Sequence, residues 1–213
     1  MSRASLTLVL GLCLCSTAFA LSRSEIESGY AKSFTYEKMG RYTTAANALG
    51  IIYSQYPKGY AVNLRLGNLY AAGRNYANAL AHYDNAILAA PDALEPKLGK
   101  LSIYLAQERY SDAVDLGTRI VEMDYYNYYG NLRLAYALQM TKNYDLADKV
   151  LLKMLAIYPT DVLYLTQYGA LQYEQKDLAI AKSVLSDVLL FDPENVTAKK
   201  LLSVIKSSSS KKK

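Results

Sequence analysis

Hydrophobic positions along this chain recur at spacings of three and four, and the whole pattern recurs every 34 residues. The clearest copy spans residues 61–91. Leu64, Leu66, Leu69 and Tyr70, with the small Gly67 and Ala71 between them, predict a first helix that is apolar over more than one stripe. Gly73-Arg74-Asn75 ends it with a polar turn. Tyr76, Ala79, Leu80, Tyr83, Ala86 and Ile87 predict a second helix. It stops ahead of Pro91, because proline disfavours helical backbone in the residue before it.

The same positions return along the chain. Tyr42, Tyr76, Tyr110 and Tyr144 share one place, with Leu178 in its fifth copy. Ala45, Ala79, Ala113, Ala147 and Ala181 hold another without exception. Pro57, Pro91, Pro159 and Pro193 close four copies, and Tyr125 stands in the remaining slot. Breaks at 39–41, 73–75, 107–109, 141–143 and 175–177 separate the two helices of each copy. The pattern predicts an all-α array of five helix-turn-helix repeats, at 26–59, 60–93, 94–127, 128–161 and 162–195. In the fourth, Val150, Leu151, Met154 and Leu155 continue the second-helix stripe. Residues 194–206 add an amphipathic helix with Val196, Leu201, Leu202 and Ile205 on one side. It has no partner of its own and is expected to cap the stack, with Lys199, Lys200 and Lys206 outward.

One small first-helix residue per copy (Ser33, Gly67, Ala135, Gly169) is expected to let the second helix approach, against the recurring alanine. The third copy carries Leu101 there, which should spread its two helices or shift their register. Together with the missing proline at Tyr125, this points to irregularity around the middle unit.

The period, Leu66-Gly67-Asn68-Leu69-Tyr70, the second-helix Ala79 with an aromatic after it, and the closing Pro91 resemble the tetratricopeptide repeat family. The resemblance covers roughly 26–206 and is weakest in the first copy, where Lys32-Ser33 replaces leucine-glycine. It implies a right-handed α-solenoid whose first helices line a concave groove for an extended peptide or a partner helix. On that geometry the inward residues are Tyr30, Phe34, Leu64, Asn68, Leu98, Leu105, Tyr129, Leu132, Tyr136, Met140 and Tyr173, with Ser102, Thr166 and Ala170 among them. The surface is aromatic and aliphatic, a composition suited to recognition. The plainer reading is that many of these side chains pack between repeats. Some family members clamp a terminal carboxylate with cations and asparagine on successive first helices. Asn68 suits such a clamp, but Tyr30 and Leu64 stand where the cations belong, and Arg65 and Arg133 lie two repeats apart.

Residues 1–20 read as a cleaved secretory signal: Arg3, an apolar run over 6–15, then Ala18-Phe19-Ala20. Ten apolar residues are too few to span a bilayer of about 30 Å. Both cysteines, Cys13 and Cys15, leave with that segment, so the mature chain has neither disulfides nor a thiol nucleophile. The net charge of +5 falls to +4 without Arg3, and Lys206, Lys211, Lys212 and Lys213 account for the remainder. The repeats themselves are near neutral, which argues against nucleic acid. Residues 207–213 read as a disordered Ser/Lys tail, and Lys211, Lys212 and Lys213 give only a weak pull toward an anionic membrane surface.

Little supports catalysis or a cofactor. The single histidine, His82, has no second ligand at metal spacing and reads as a half-buried helix position. No phosphate-binding glycine loop or paired carboxylates occur. Asn195-Val196-Thr197 is a sequon that matters only in a eukaryote. Tyr125-Tyr126-Asn127-Tyr128-Tyr129 is either inter-repeat packing or a recognition patch. The expected function is a non-catalytic adaptor of the cell envelope, binding a protein or peptide of an assembly or secretion complex. The expected place is the periplasm, with secretion or the endoplasmic reticulum lumen as alternatives. Homo-oligomeric self-assembly and a glycan-binding accessory are the rival readings.

Overall fold

A computed structural model describes residues 20–210, with side chains through Ser207. The signal-peptide reading and Lys211–Lys213 lie outside the described residues. Twelve helices follow one another among those described. They are α1 (Arg23–Lys38), α2 (Tyr42–Asn47), α3 (Gly50–Gln55), α4 (Tyr60–Ala72), α5 (Tyr76–Ala89) and α6 (Glu95–Ala106). Then come α7 (Tyr110–Met123), α8 (Tyr128–Met140), α9 (Tyr144–Leu155), α10 (Val162–Glu174), α11 (Leu178–Phe191) and α12 (Val196–Ser210). They form an α-solenoid of stacked helical hairpins closed by a capping helix.

The 34-residue period is a period of backbone hydrogen bonds. Each first helix ends in a Schellman motif, in which Arg41, Asn75, Arg109, Asn143 and Asp177 N–H donate to the carbonyls of Tyr36, Tyr70, Tyr104, Leu138 and Gln172. The residue before each donor is left-handed: Gly40, Arg74, Glu108, Lys142 and Lys176, with φ of 70°, 58°, 57°, 61° and 70°. Four of these carry a side chain where glycine is the unstrained choice.

The turn between repeats is equally regular. Gly59, Ala93, Asn127, Asp161 and Asn195 N–H donate to the carbonyls of Tyr56, Ala90, Asp124, Tyr158 and Asp192. The turn containing Tyr125 makes the same bond as the four with proline, so the missing proline does not disturb this bond. A polar side chain in the following helix reinforces the turn. Asn63 Nδ2 donates to the carbonyls of Pro57 and Gly59 at 2.9 and 2.8 Å. Asn131 Nδ2 repeats this with Tyr125 and Asn127 at 3.0 and 2.8 Å. Lys97 Nζ donates to Pro91 and Ala93.

The recurring alanines Ala45, Ala79, Ala113, Ala147 and Ala181 are fully buried. Gly67 and Gly169 meet the buried side chains of Tyr83 and Leu185, so close that a β-carbon would stand 2.6 and 2.7 Å from them. In the third repeat the sizes are exchanged. Leu101 is fully buried on α6, and Gly117 stands at the α7 place that Tyr83 and Leu185 hold elsewhere. The hairpin α6–α7 is less intimately packed than α4–α5 or α10–α11, and α7 packs more closely on α8 than on α6. A Gly117 β-carbon would stand 3.1 Å from Leu134 Cβ of α8. The spreading expected at Leu101 is therefore taken up by a tighter contact with the next repeat.

Two boundaries differ from the sequence expectation. The second helix of the first repeat is split into α2 and α3. Leu49 N–H donates to Ala46, a three-residue closure, ahead of Gly50, a weak helix former. The last helix begins at Val196 and continues through Ser210 rather than ending at Lys206. Serine is a tolerable helix residue once a nucleus exists, and Ser207 Oγ folds back onto the Val204 carbonyl at 2.9 Å.

Neighbouring first helices touch in a row, α4–α6, α6–α8, α8–α10 and α10–α12, whereas no such pairing of any closeness joins α5 to α7 or α7 to α9. A two-layer stack packed closer on one layer curves toward it. The first helices therefore line the concave face.

Candidate functional site

The concave face deepens where α6, α8, α10 and the start of α12 meet. A cavity of about 460 Å³ opens there, and most of its wall is apolar. Of the predicted inward residues, Leu105, Leu132 and Tyr136 line it, together with Thr166 and Ala170. Met140 and Tyr129 lie on the same helix α8 and are 39% and 54% exposed. Tyr129 stands edge-on to Tyr128, with ring centroids 5.0 Å apart.

The remaining predicted residues are spread along the array. Phe34 is exposed on α1, with the Arg65 guanidinium 3.9 Å above its ring. Asn68 Oδ1 accepts a 2.8 Å bond from Tyr83 Oη. Four others rest against core clusters and line no part of this cavity. Tyr30 leans on the first-repeat core, and burial raises its phenol pKa. Leu64 packs with Ala79, Tyr83 and Ile103, Leu98 with Leu101, and Tyr173 with the last cluster around Leu185.

Tyr83 is how the second layer reaches the groove. It leaves α5 and its ring passes between Gly67 of α4 and Gly99 of α6, 2% exposed. Only at its tip does the hydroxyl meet Asn68. Burial pushes the phenol up to about 12, with the nearby Arg133 charge opposing, so it is a neutral donor at physiological pH.

Several cavity residues were not among the predicted inward ones. Arg133, Gln139, Leu163 and Gln167 come from α8 and α10, and Asn195 and Thr197 from the start of α12. Asn195 is the N-cap of α12: its Oδ1 accepts from Ala198 N–H at 3.0 Å and its Nδ2 donates to Thr166 Oγ1 at 3.3 Å. The signal was present in the period, because Asn195 falls 34 residues after the N-cap Asp161. The capping helix thus takes the place of a sixth first helix and completes the groove wall.

His82 lies in the structural layer, away from this cavity. Its ring stacks on Tyr70 at 5.4 Å and meets Tyr53 edge-on at 5.2 Å. Its Nδ1 is 2.9 Å from Asn63 Oδ1. Asn63 already donates both its amide bonds to the turn, so its oxygen is the acceptor and Nδ1 carries the proton. Burial holds the imidazole below its ordinary pKa. Among the described residues no group of three or more His, Cys, Asp or Glu could hold a metal ion, and no helix is long and apolar enough to cross a membrane.

The fold is shared with solved structures at low sequence identity. A tetratricopeptide repeat protein from Parabacteroides merdae superposes with a TM-score of 0.79 at 14% identity, covering 88% of this chain and 75% of that one. MamA from Desulfovibrio magneticus does so with a TM-score of 0.74 at 14% identity, covering 83% and 99%. YrrB, described as a tetratricopeptide repeat protein with an unusual peptide-binding site, gives 0.68 at 13% identity, covering 84% and 92%. At these identities the likeness is one of fold alone. No curated protein matches the sequence significantly. Two models of the tetratricopeptide repeat match it, one over residues 31–95 and the other over 130–161, so the chain carries tetratricopeptide repeats in those two stretches.

Proposed function

We propose that this protein is a non-catalytic adaptor that holds an extended segment of a partner protein along its concave face. The observation that carries this reading is the cavity between α6, α8, α10 and α12, where Leu105, Leu132, Tyr136 and Leu163 present apolar surface to solvent. Leu163 is 54% and Tyr136 40% exposed, and apolar contact of this kind, interrupted by a few polar groups, suits a peptide better than a folded core. The peptide-binding site of YrrB, on the same fold, supports it.

The adaptor is exported and works in the cell envelope, with the periplasm as its compartment. Arg3, the apolar run at 6–15 and Ala18-Phe19-Ala20 support this. So does the start of the fold: Ser22 caps α1 in a capping box with Glu25, two residues after the proposed cleavage point. The partner is then a component of an envelope assembly or secretion complex.

A photo-crosslinking residue at position 136, compared with one at Asp187 on α11, tests the groove in the native cell. Crosslinks to one partner from 136 and none from 187 are expected. The Leu132→Ala/Tyr136→Ala double variant, folded by circular dichroism, should lose that partner. Undiminished recovery with the folded double variant would refute the groove. N-terminal sequencing of the mature chain should begin at Leu21, and retention of Met1 in an envelope fraction would refute cleavage.

A further inference from the structure

Arg65 and Arg133 occupy the same place in the second and fourth repeats, two periods apart. The fold treats them differently. Arg65 is satisfied within the chain. Its Nη1 lies 2.7 Å from Glu37 Oε2, its Nη2 donates to Ser33 Oγ at 3.2 Å, and its guanidinium covers Phe34. Arg133 has no such partner. Among the described residues no carboxylate lies within ion-pair distance of it. Its one hydrogen bond is a long one, 3.4 Å from Nη1 to the Leu98 carbonyl. Its guanidinium stands 5.3 Å from the Tyr129 ring. Burial lowers its pKa, with Tyr129 and Tyr83 only partly opposing. A guanidinium carries several N–H donors in a planar fork and stays charged, so its desolvation here is left largely uncompensated.

Arg133 also lines the cavity, together with Leu105, Leu132 and Leu163. We propose that Arg133 receives the carboxylate of an aspartate or glutamate side chain in the interior of the bound peptide. The inference rests on the groove reading above and adds the chemical class of the ligand. A planar carboxylate matches the fork in a bidentate pair. A phosphomonoester would bring about two negative charges to a single cation, so a carboxylate fits better. The apolar wall suits the methylene stem of an acidic side chain and the apolar residues beside it. The acid is interior to the peptide because the concave face continues past Arg133 in both directions. On one side lie Phe34 and Asn68, and on the other Leu163 and Ala170.

The test is a display library of random twelve-residue peptides with blocked C-termini, selected on the mature chain and then on Arg133→Met. Methionine keeps the stem and its packing and removes the charge. The variant should melt at or above the wild-type temperature, because a half-buried unpaired cation is lost. Wild-type selections should converge on one interior Asp or Glu flanked by apolar residues. Replacing that acid with its amide should weaken binding about tenfold or more to wild type and less than about twofold to Arg133→Met. Arg133→Glu should select lysine or arginine at that position instead. Selected peptides without a preferred acid, or an acid preference that survives Arg133→Met, overturn this inference and leave the groove reading standing. Binding only by peptides with a free terminal carboxylate, in an unblocked library, overturns it in favour of terminal recognition. Failure to select any peptide that Leu132→Ala/Tyr136→Ala abolishes overturns both.

Discussion

Gly99→Ala probes the passage of Tyr83 through the first-helix layer. A β-carbon at Gly99 would stand 2.4 Å from Tyr83 Cζ, 2.6 Å from Oη and 2.8 Å from Cε1. Carbon atoms pack at about 3.5–4.0 Å, so the ring would have to retreat by roughly 1 Å. Its other face allows no retreat, because Gly67 is equally close and the ring is 2% exposed. Overpacking of this kind costs about 1–3 kcal/mol. The alanine returns about 1 kcal/mol of helix propensity. The variant should therefore be destabilised by about 1 kcal/mol, whereas an unconstrained glycine in a helix would give a gain. A double-mutant cycle isolates the clash. In a Tyr83→Leu background, which removes the ring, Gly99→Ala should become stabilising, giving a coupling of about 1–3 kcal/mol. Tyr83→Phe keeps the ring and should keep most of the coupling. Urea unfolding followed at 222 nm supplies the free energies, with an unchanged m-value as the check on two-state behaviour. A coupling below about 0.5 kcal/mol would refute the argument that Gly67 and Gly99 exist to admit this ring.

His82→Leu leaves Asn63 Oδ1 with only Asn85 Nδ2 at 3.5 Å, and should cost about 1–3 kcal/mol in urea unfolding. The pH dependence has a defined sign. The folded imidazole pKa lies below the unfolded value near 6.5, so the unfolded state binds more protons in that window, and stability falls as pH drops from about 6.5 through the folded value. Thermal melts at a series of pH values should show this loss in wild type and not in His82→Leu; equal slopes would sink the assignment. Glu108→Gly relieves a left-handed residue with φ 57° and a negative charge at the end of α6, and should stabilise by about 0.5–1 kcal/mol, whereas Glu108→Val should destabilise. Thermal scans decide, and a lower melting temperature for the glycine variant contradicts the strain argument. Leu101→Ala should cost about 2–5 kcal/mol, because the side chain is fully buried and Gly117 cannot fill the space. A loss under about 1 kcal/mol would mean that α6 and α7 simply close up.

The repeat period, the hairpin order and the cap were legible in the sequence because each is fixed by local chemistry. An alanine at one helical position and a proline or turn former at another act within a few residues. The array then multiplies the signal by repetition. Even the left-handed turn positions could be located, since Gly40 marks the place that Arg74, Glu108, Lys142 and Lys176 share.

The groove was legible only as a list of helix positions. Tyr30, Leu64 and Leu98 satisfy the same spacing as Leu132 and Tyr136, yet only the last two line the cavity. Spacing along one helix says which side faces inward. It does not say how far the next helix stands away, and that distance depends on pairs such as Leu101 with Gly117, or Gly99 with Tyr83, that lie on different helices. Charge was equally hidden. Arg65 and Arg133 are equivalent by position, and only the folded chain shows that Glu37 reaches one while, among the described residues, no carboxylate reaches the other. The sequence by itself determined a helical array, its period and its cap, because those follow from backbone propensities summed over neighbours. Tertiary structure decided where the array opens into a cavity and that Arg133 in its wall lacks a carboxylate partner among the described residues, because those are differences between side chains that meet only across the stack.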